Sequence, residues 1–475
     1  MSLAASVILN SLANFALGLL LARFLGPAGF GAFAVAVAAA GVMTIPLIEW
    51  LRHAATRFYA DSTRLTTPAI RSSLDAVAAT AMGLVVVLAV IEALVGGDRA
   101  AGLLALAAIY TVFGACFDYH AALARARNLD LTLAGLMAVR HALALGLMLG
   151  IALVWCEPEA VLAAGAVALT LAVAVARSRL ADPWACLSVA RLAEVRRFAA
   201  YGMPIVAAGG IALLQAFYLR GAVASQFGLA EAGKFALAHD IGVRVIAVLG
   251  TALDVVLFQL AVRAHDRAGP AASQQQLSRN MTATLAVLVP AGVGFWLVLP
   301  AFEAVFVSTA FKGVFAETLA ILLPGLVLWG VAIFAIAPSF QIAGRTLPVT
   351  IPALVSLAVN LVFDAVVAGR MGPLGHAWGF TVGMAAGFTV FLVIAFRQTH
   401  ARPALRDLAG ILVGTMAMVS VVAPMQAGLP AAAVLAVAVP LGGAVHLAVC
   451  WLFDVAGLRA VVSSCVPAAG STSRP

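Results

Sequence analysis

Charge is scarce in this sequence. Asp, Glu, Lys and Arg together make up 10% of its 475 residues, against roughly 25% in soluble globular domains. With 64% hydrophobic residues beside that deficit, a string of soluble domains is excluded and an integral membrane protein is indicated. Lysine is almost missing, since Lys234 and Lys312 are the two lysines. Cysteine is sparse as well. Cys116, Cys156, Cys186, Cys450 and Cys465 form no CxxC and no metal-ligand spacing, and Cys116 and Cys450 fall in apolar runs where they read as small buried hydrophobes. P-loop, HExxH and GxSxG signatures are absent, and no sizeable extramembrane loop carries paired carboxylates. The expectation is therefore a non-enzyme with no catalytic residue, cofactor or metal. The net charge of +8 belongs to loops retained beside a membrane and not to a nucleic-acid surface.

What the chain has in abundance is long apolar runs. At about 20 residues per crossing, an all-α polytopic protein of fourteen helices is predicted, near 4–25, 29–51, 74–96, 101–124, 131–155, 158–176, 200–221, 231–262, 279–300, 316–343, 348–369, 376–396, 407–426 and 431–453. The first run carries no basic region and no cleavage site, so it reads as a retained span. Placing the N-terminus inside puts twenty arginines in cytoplasmic loops and leaves Arg99, Arg220, Lys312 and Arg370 on the other side. That asymmetry predicts both termini in the cytoplasm.

One stretch occurs twice. Moving RFLGPAGFGAF by 202 positions brings Gly26 onto Gly228, Gly31 onto Gly233 and Phe33 onto Phe235, with seven identities between Ala22–Ala36 and its counterpart. Each copy lies where one apolar run gives way to the next, so each reads as a tight glycine turn. A repeat of six helices keeps both halves in the same orientation, the parallel-repeat plan of transporters. The expected organisation is a first six-helix lobe over 1–180, a cytoplasmic linker over 181–199, a second lobe over 200–398, and two additional helices with a tail over 399–475.

Ionisable groups inside spans cost roughly 2.5–3.5 kcal/mol each at a helix centre on insertion scales, so they mark protein-facing or watery positions. Glu49 and Arg52 are three apart on one face. Asp118 and Arg140 lie at similar depth on consecutive helices and are expected to form a buried structural ion pair. Asp240 and Arg244 are four apart, so Arg244 either serves a site or neutralises Asp240. Asn10 with Asn14, and Asn360 with Asp364, repeat that spacing, which reads either as glue between helices or as the wall of one aqueous cavity. Asp240, Asp254 and Asp364 are the candidate ion-coupling sites, for a proton or a cation.

The segments LLLARFLGPAGFGAFAVA, AYGMPIVAAGGIALLQAFYLRGAVASQFG, AGR at Ala343–Arg345, and VN followed by GPLGHAWG together resemble the polysaccharide-transporter branch of the multidrug/oligosaccharidyl-lipid/polysaccharide superfamily. That branch holds the O-antigen and exopolysaccharide flippases, with lipid II flippases as more distant kin. The resemblance implies two lobes in a V around a cavity that opens alternately to either side. It also implies that undecaprenyl-pyrophosphate-linked oligosaccharide is exported from the inner to the outer leaflet of a bacterial cytoplasmic membrane. The partners implied are that lipid-linked glycan, the bilayer and other polysaccharide-assembly proteins. Cavity arginines on helices 1, 2 and 8 of the lipid II branch match Arg23, Arg52 and Arg244. Relatives carry Asp-Arg in helix 7, whereas here Leu219 precedes Arg220. Either another acid neutralises Arg220, or Arg220 joins Asn10, Asn14 and Asn360 in meeting substrate. A small-molecule exporter of the same superfamily and a membrane-embedded polymerase or ligase are the alternative readings.

Overall fold

The structure, a computed structural model, describes residues 3–459 apart from 65, 97–98, 183–184, 344 and 346. Its described residues form helices and no strand, as they must if the backbone crosses lipid, where every N–H and C=O needs an internal partner. In chain order the helices are α1 (Leu3–Thr44), α2 (Trp50–Phe58), α3 (Asp61–Arg64), α4 (Pro68–Val95), α5 (Arg99–Ala126), α6 (Asp130–Leu143), α7 (Leu149–Val154), α8 (Pro158–Leu180) and α9 (Leu192–Phe227). They continue as α10 (Leu229–Phe306), α11 (Val314–Val331), α12 (Ala337–Ile342), α13 (Leu347–Val366), α14 (Pro373–Gln398), α15 (Leu405–Gly428), α16 (Ala431–Ala433) and α17 (Val439–Leu452).

Among the described residues, 11 stretches are long and apolar enough to cross a membrane. Two of them are double: Ala13–Phe58 is broken at Gly26, and Leu229–Phe306 at Gly269. With both halves of each, and with α9, the tally agrees with the fourteen predicted helices. Four helices run on through a wider π turn, at Ile45–Glu49, Ala144–Met148, Ala332–Ile336 and Val434–Ala438. Three of these turns have a proline inside them or just beyond, Pro46, Pro338 and Pro440. Proline removes a backbone donor and crowds the carbonyl four residues back, and the wider turn absorbs both effects. Several helices start earlier than the sequence pattern predicts: α4 begins at Pro68, and α9 begins at Leu192, so the second half of the expected linker is already helix.

The repeated motif has the same backbone in both copies. Gly26 has φ 67 and ψ 177, and Gly228 has φ 88 and ψ 166, a region open to glycine and closed to L side chains. The two copies also meet. A Cβ on Gly31 would lie 1.9 Å from the carbonyl oxygen of Leu229, and a Cβ on Gly233 would lie 2.0 Å from that of Pro27. Pro27 and Leu229 are themselves 202 positions apart, so the contact is reciprocal and follows the repeat.

The chain divides into two compact units, one of residues 1–241, 308–318 and 353–380, the other of residues 242–307, 319–352 and 381–475. In the first, Trp50, Leu51, Tyr59, Leu74, Tyr119, Leu123 and Phe198 pack one core. The segment after α8 is fastened to the start of α4 there. Ser72 Oγ accepts from the Cys186 amide at 3.1 Å, Ser73 Oγ accepts from the Arg191 amide at 2.9 Å, and Arg71 donates to Asp75 and to the Leu180 carbonyl. Tyr59 donates to Asp182 at 3.1 Å, and burial raises its phenol above the usual value, so it stays a donor. In the second unit Met281, Ile336, Phe340 and Phe391 pack another core.

Candidate functional site

The α2 end of the first unit gathers the charges that the sequence treats separately. The π turn at Ile45–Glu49 sets Glu49 one turn before Arg52, and Arg52 donates to Glu49. The same Nη1 lies 3.7 Å from Asp118 Oδ2, while Arg140 Nη1 reaches Asp118 Oδ1 at 4.0 Å and its guanidinium lies 4.7 Å from the centre of the Phe117 ring. The expected pair between Asp118 and Arg140 therefore forms, with two corrections. It is not buried, since the two side chains are 28% and 37% exposed. Nor is it separate, because Arg52 shares Asp118. Two acids and two bases make the cluster neutral, and its Asp118 contacts are longer than hydrogen bonds. An incoming phosphate that offers close bidentate geometry can displace Asp118 from the two arginines.

Arg23 is exposed on α1, three residues before the break at Gly26. Arg52 follows that break by 26 residues of nearly continuous helix, which at 1.5 Å per residue is roughly 38 Å. One phosphate cannot touch both: these two arginines lie far apart along the first unit. Asn14 donates to His141 Nε2 at 3.1 Å, a polarity fixed because His141 Nδ1 faces the Met137 carbonyl at 2.6 Å and must carry the proton. The Asn10 side chain lies outside the described residues.

Arg220 answers the question posed by Leu219. It is 7% exposed, donates through Nη2 to Asp240 Oδ1 and through Nη1 to the Ala34 carbonyl at 3.1 Å. Asp240, twenty residues later, thus replaces the acid that relatives carry beside the arginine, and Arg220 is not presented to a substrate. His239, stacked on Phe235 and edge-on to Phe380, lies 3.6 Å from the same carboxylate.

Asn360 and Asp364 are buried, not lining water. Gln215 of α9 donates to Asn360 Oδ1 at 3.2 Å, and His376 of α14 lies with Nδ1 2.9 Å from Asp364 Oδ2. Sequence reasoning did not single out Gln215 or His376; the HAWG of the quoted motif held the histidine, but nothing in its spacing tied it to Asp364. In the second unit, Arg244 and Asp254 are half-buried on α10. The same unit contains a groove of about 510 Å³ whose apolar walls include Pro290, Phe295, Met418, Leu435, Gly443 and Leu447, from α10, α15, the last π turn and α17. Among the described residues no group of three His, Cys, Asp or Glu side chains is placed to hold a metal.

No protein-family model and no curated protein matches the chain. Solved structures do. A lipid II flippase, MurJ in an inward closed conformation, superposes with a TM-score of 0.75 at 13% identity, over 96% of this chain and 99% of that one. An inward-facing multidrug resistance MATE family transporter of the MOP superfamily gives 0.57 at 16% identity over 82% and 94%, and the Vibrio cholerae MATE transporter VcmN gives 0.55 at 15% over 84% and 96%. The chain is a polytopic all-α membrane protein with the fold shared by these flippases and transporters.

Proposed function

We propose that the protein moves an undecaprenyl-pyrophosphate-linked oligosaccharide, an O-antigen, exopolysaccharide or related repeat unit, from the cytoplasmic to the outer leaflet of a bacterial cytoplasmic membrane. The carrying observation is the extent of the likeness. The lipid II flippase fold covers 96% of the chain where the MATE transporters cover 82% and 84%, a shortfall of about the size of residues 399–475. Their helices α15 and α17 help wall the apolar groove. Such a trench suits a polyprenyl tail, and a soluble drug has no use for it.

In this reading the lobes 1–180 and 200–398, joined by 181–199, open alternately to the two sides, with both chain termini in the cytoplasm. Arg52 and Arg140 receive the pyrophosphate at the cytoplasmic end by exchanging Asp118 for phosphate oxygens. Arg244 follows on the path and Arg23 serves the outer end, so the head group passes between stations and is never held by all of them at once. The physical task is to carry a charged, hydrated head past hydrocarbon, and guanidinium forks perform it by replacing water around the phosphates.

The test is a scrambling assay in proteoliposomes with a fluorescent polyprenyl-pyrophosphate oligosaccharide. Transfer between leaflets that depends on the protein is expected. Export of a cationic dye without movement of the lipid would favour the drug-exporter reading. In cells depleted of the protein, lipid-linked units should accumulate on the inner leaflet; accumulation on the outer leaflet would indicate a polymerase.

A further inference from the structure

At one end of the first unit α2, α5 and α8 stop and α4, α6 and α9 start, and the acids there are mostly spent internally. Asp75 is taken by Arg71 and by the Tyr119 hydroxyl at 2.6 Å, and Asp182 accepts from Tyr59. Glu194 lies 3.5 Å from Arg197, whose guanidinium covers the Phe58 ring at 4.2 Å. The other bases are not answered. Arg57, Arg125, Arg177, Arg179, Arg191 and Arg196 are exposed, and none of them pairs with a carboxylate among the described residues. Asp130 is the one exposed acid at this end among the described side chains. Three leucines stand out from the same end, Leu131 at 87%, Leu187 at 67% and Leu192 at 66% exposed. The segment that leads to two of them is held firmly, since Ser72 and Ser73 of α4 accept from the Cys186 and Arg191 amides. At about 1.5 Å per residue the 36 residues of α9 span roughly 54 Å, against about 30 Å of hydrocarbon in a bilayer. Its basic first turns, 192–197, therefore stand at headgroup height while the apolar remainder crosses.

We propose that this end of the first unit is a docking surface for anionic phospholipid headgroups, with Leu187 and Leu192 dipping into the membrane interface and the unanswered arginines holding the phosphodiesters. Charge and position select this occupant. Each arginine beside a negatively charged membrane surface adds to the attraction, and the guanidinium fork fits two phosphate oxygens at once. A zwitterionic headgroup offers the same phosphate with its charge already cancelled, so it is held less well. Leu187 and Leu192 flank Arg191 on a short, pinned segment, and apolar insertion beside basic contact is the combination that keeps interfacial segments on a membrane. In water the two leucines gain nothing; in the interface their apolar surface is removed from it. Because 181–191 is fastened to α4 and runs directly into α9, a headgroup held there fixes the depth at which α9 enters the bilayer. Lipid charge thereby acts on the segment that joins the two proposed lobes. The leaflet concerned is the cytoplasmic one on the arginine-based orientation, and the identity of the transported lipid does not enter.

The test needs no transport substrate. The full-length protein in dodecyl maltoside is titrated with dioleoyl-phosphatidylglycerol or with dioleoyl-phosphatidylcholine, and bound lipid is counted by native mass spectrometry. Wild type should bind phosphatidylglycerol about tenfold more tightly, and the preference should shrink as ammonium acetate is raised, because exposed charges are screened. Arg177→Gln with Arg179→Gln, and separately Arg191→Gln with Arg196→Gln, should each cut the preference about threefold and leave phosphatidylcholine binding unchanged. Leu187→Ser with Leu192→Ser should weaken both lipids equally and keep the preference. All six side chains are exposed, so each variant is expected to melt as wild type does. Equal binding of the two lipids by the wild type overturns the proposal whether or not any variant folds. So does a preference that both arginine pairs leave intact, which moves the anionic contact elsewhere, for example to Arg52 and Arg140. Capture of soluble polyglutamate in place of the lipid overturns it too, and assigns the surface to an acidic protein. If the preference behaves as expected and the glycan lipid is not moved in the scrambling assay, the surface stands and the substrate assignment falls. The reverse pair of results removes the surface and leaves the flippase assignment.

Discussion

Asp240 accepts a hydrogen bond from Arg220, a residue on the preceding helix, and so supplies from α10 the negative charge that helix 7 lacks at Leu219. Arg220 is 9% exposed at its side chain and Asp240 26%, which makes the pair mostly buried. Removing one partner of such a pair strands the other charge and costs ~3–5 kcal/mol, while removing both costs much less. Asp240→Asn should lower the melting temperature of the purified protein strongly, and Arg220→Gln added to it should restore part of the loss. Equal melting of Asp240→Asn and wild type would show that the Ala34 carbonyl alone suffices for Arg220.

The reciprocal contact of Gly31 and Gly233 makes a sharp contrast with other glycines. Gly31→Ala and Gly233→Ala each drive a methyl into a backbone carbonyl, an overpacking that costs about 1–3 kcal/mol or more. Gly83→Ala and Gly221→Ala meet nothing within 4 Å and should fold as wild type does. Detergent-stable yield by size-exclusion chromatography separates the two groups.

The partial exposure of Arg52, Asp118 and Arg140 changes what their mutation should do. Exposed ion pairs contribute about 0–1 kcal/mol, so Asp118→Asn and Arg140→Gln should leave folding nearly intact. Transport is where the loss is expected: Arg52→Ala should slow lipid transfer strongly and Arg52→Lys less, since Lys keeps charge and loses the fork. A collapse in yield for Asp118→Asn, with normal transfer by what remains, would return the cluster to a structural role.

Gly443 lies on the groove wall with nothing within 4 Å of a Cβ. Gly443→Phe should fill the groove without disturbing its floor. Displacing two methylenes of a long tail at about 0.8 kcal/mol each corresponds to roughly tenfold weaker binding. Substrates with a short lipid should be indifferent. Competition with polyprenyl phosphates of graded length reads the difference directly.

Topology gives an independent check. A reporter fused after Lys312 should signal the periplasm and one fused after His400 the cytoplasm. Two signals from the same side would remove the arginine asymmetry as a guide to orientation.

Much of the architecture was legible because it follows from one-dimensional quantities. Apolar run length locates spans, and Gly26 and Gly228 announce themselves because a helix break followed by immediate resumption needs glycine. The close approach of Gly31 to Leu229 was half-legible: the repeat predicts a pair of equivalent glycines, but not that they touch. Partners across helices were not legible. His376 meets Asp364 because a turn brings the first residues of α14 back beside the end of α13, and Asp240 meets Arg220 because α9 and α10 pack in one particular register. Spacing rules such as four residues apart describe neighbours on one helix, so they could not reach from Asp240 to Arg220 on α9.

The wide turn at Ile45–Glu49 decides the direction in which Arg52 points. A π turn amounts to one residue inserted into an α-helix and retained. Each residue of helix is about 100° of azimuth, so that single codon turns everything from Trp50 to Phe58 by more than a quarter circle and brings Arg52 round to Asp118. Deleting one residue between Ile45 and Glu49 would leave a longer, more regular helix with its guanidinium aimed elsewhere.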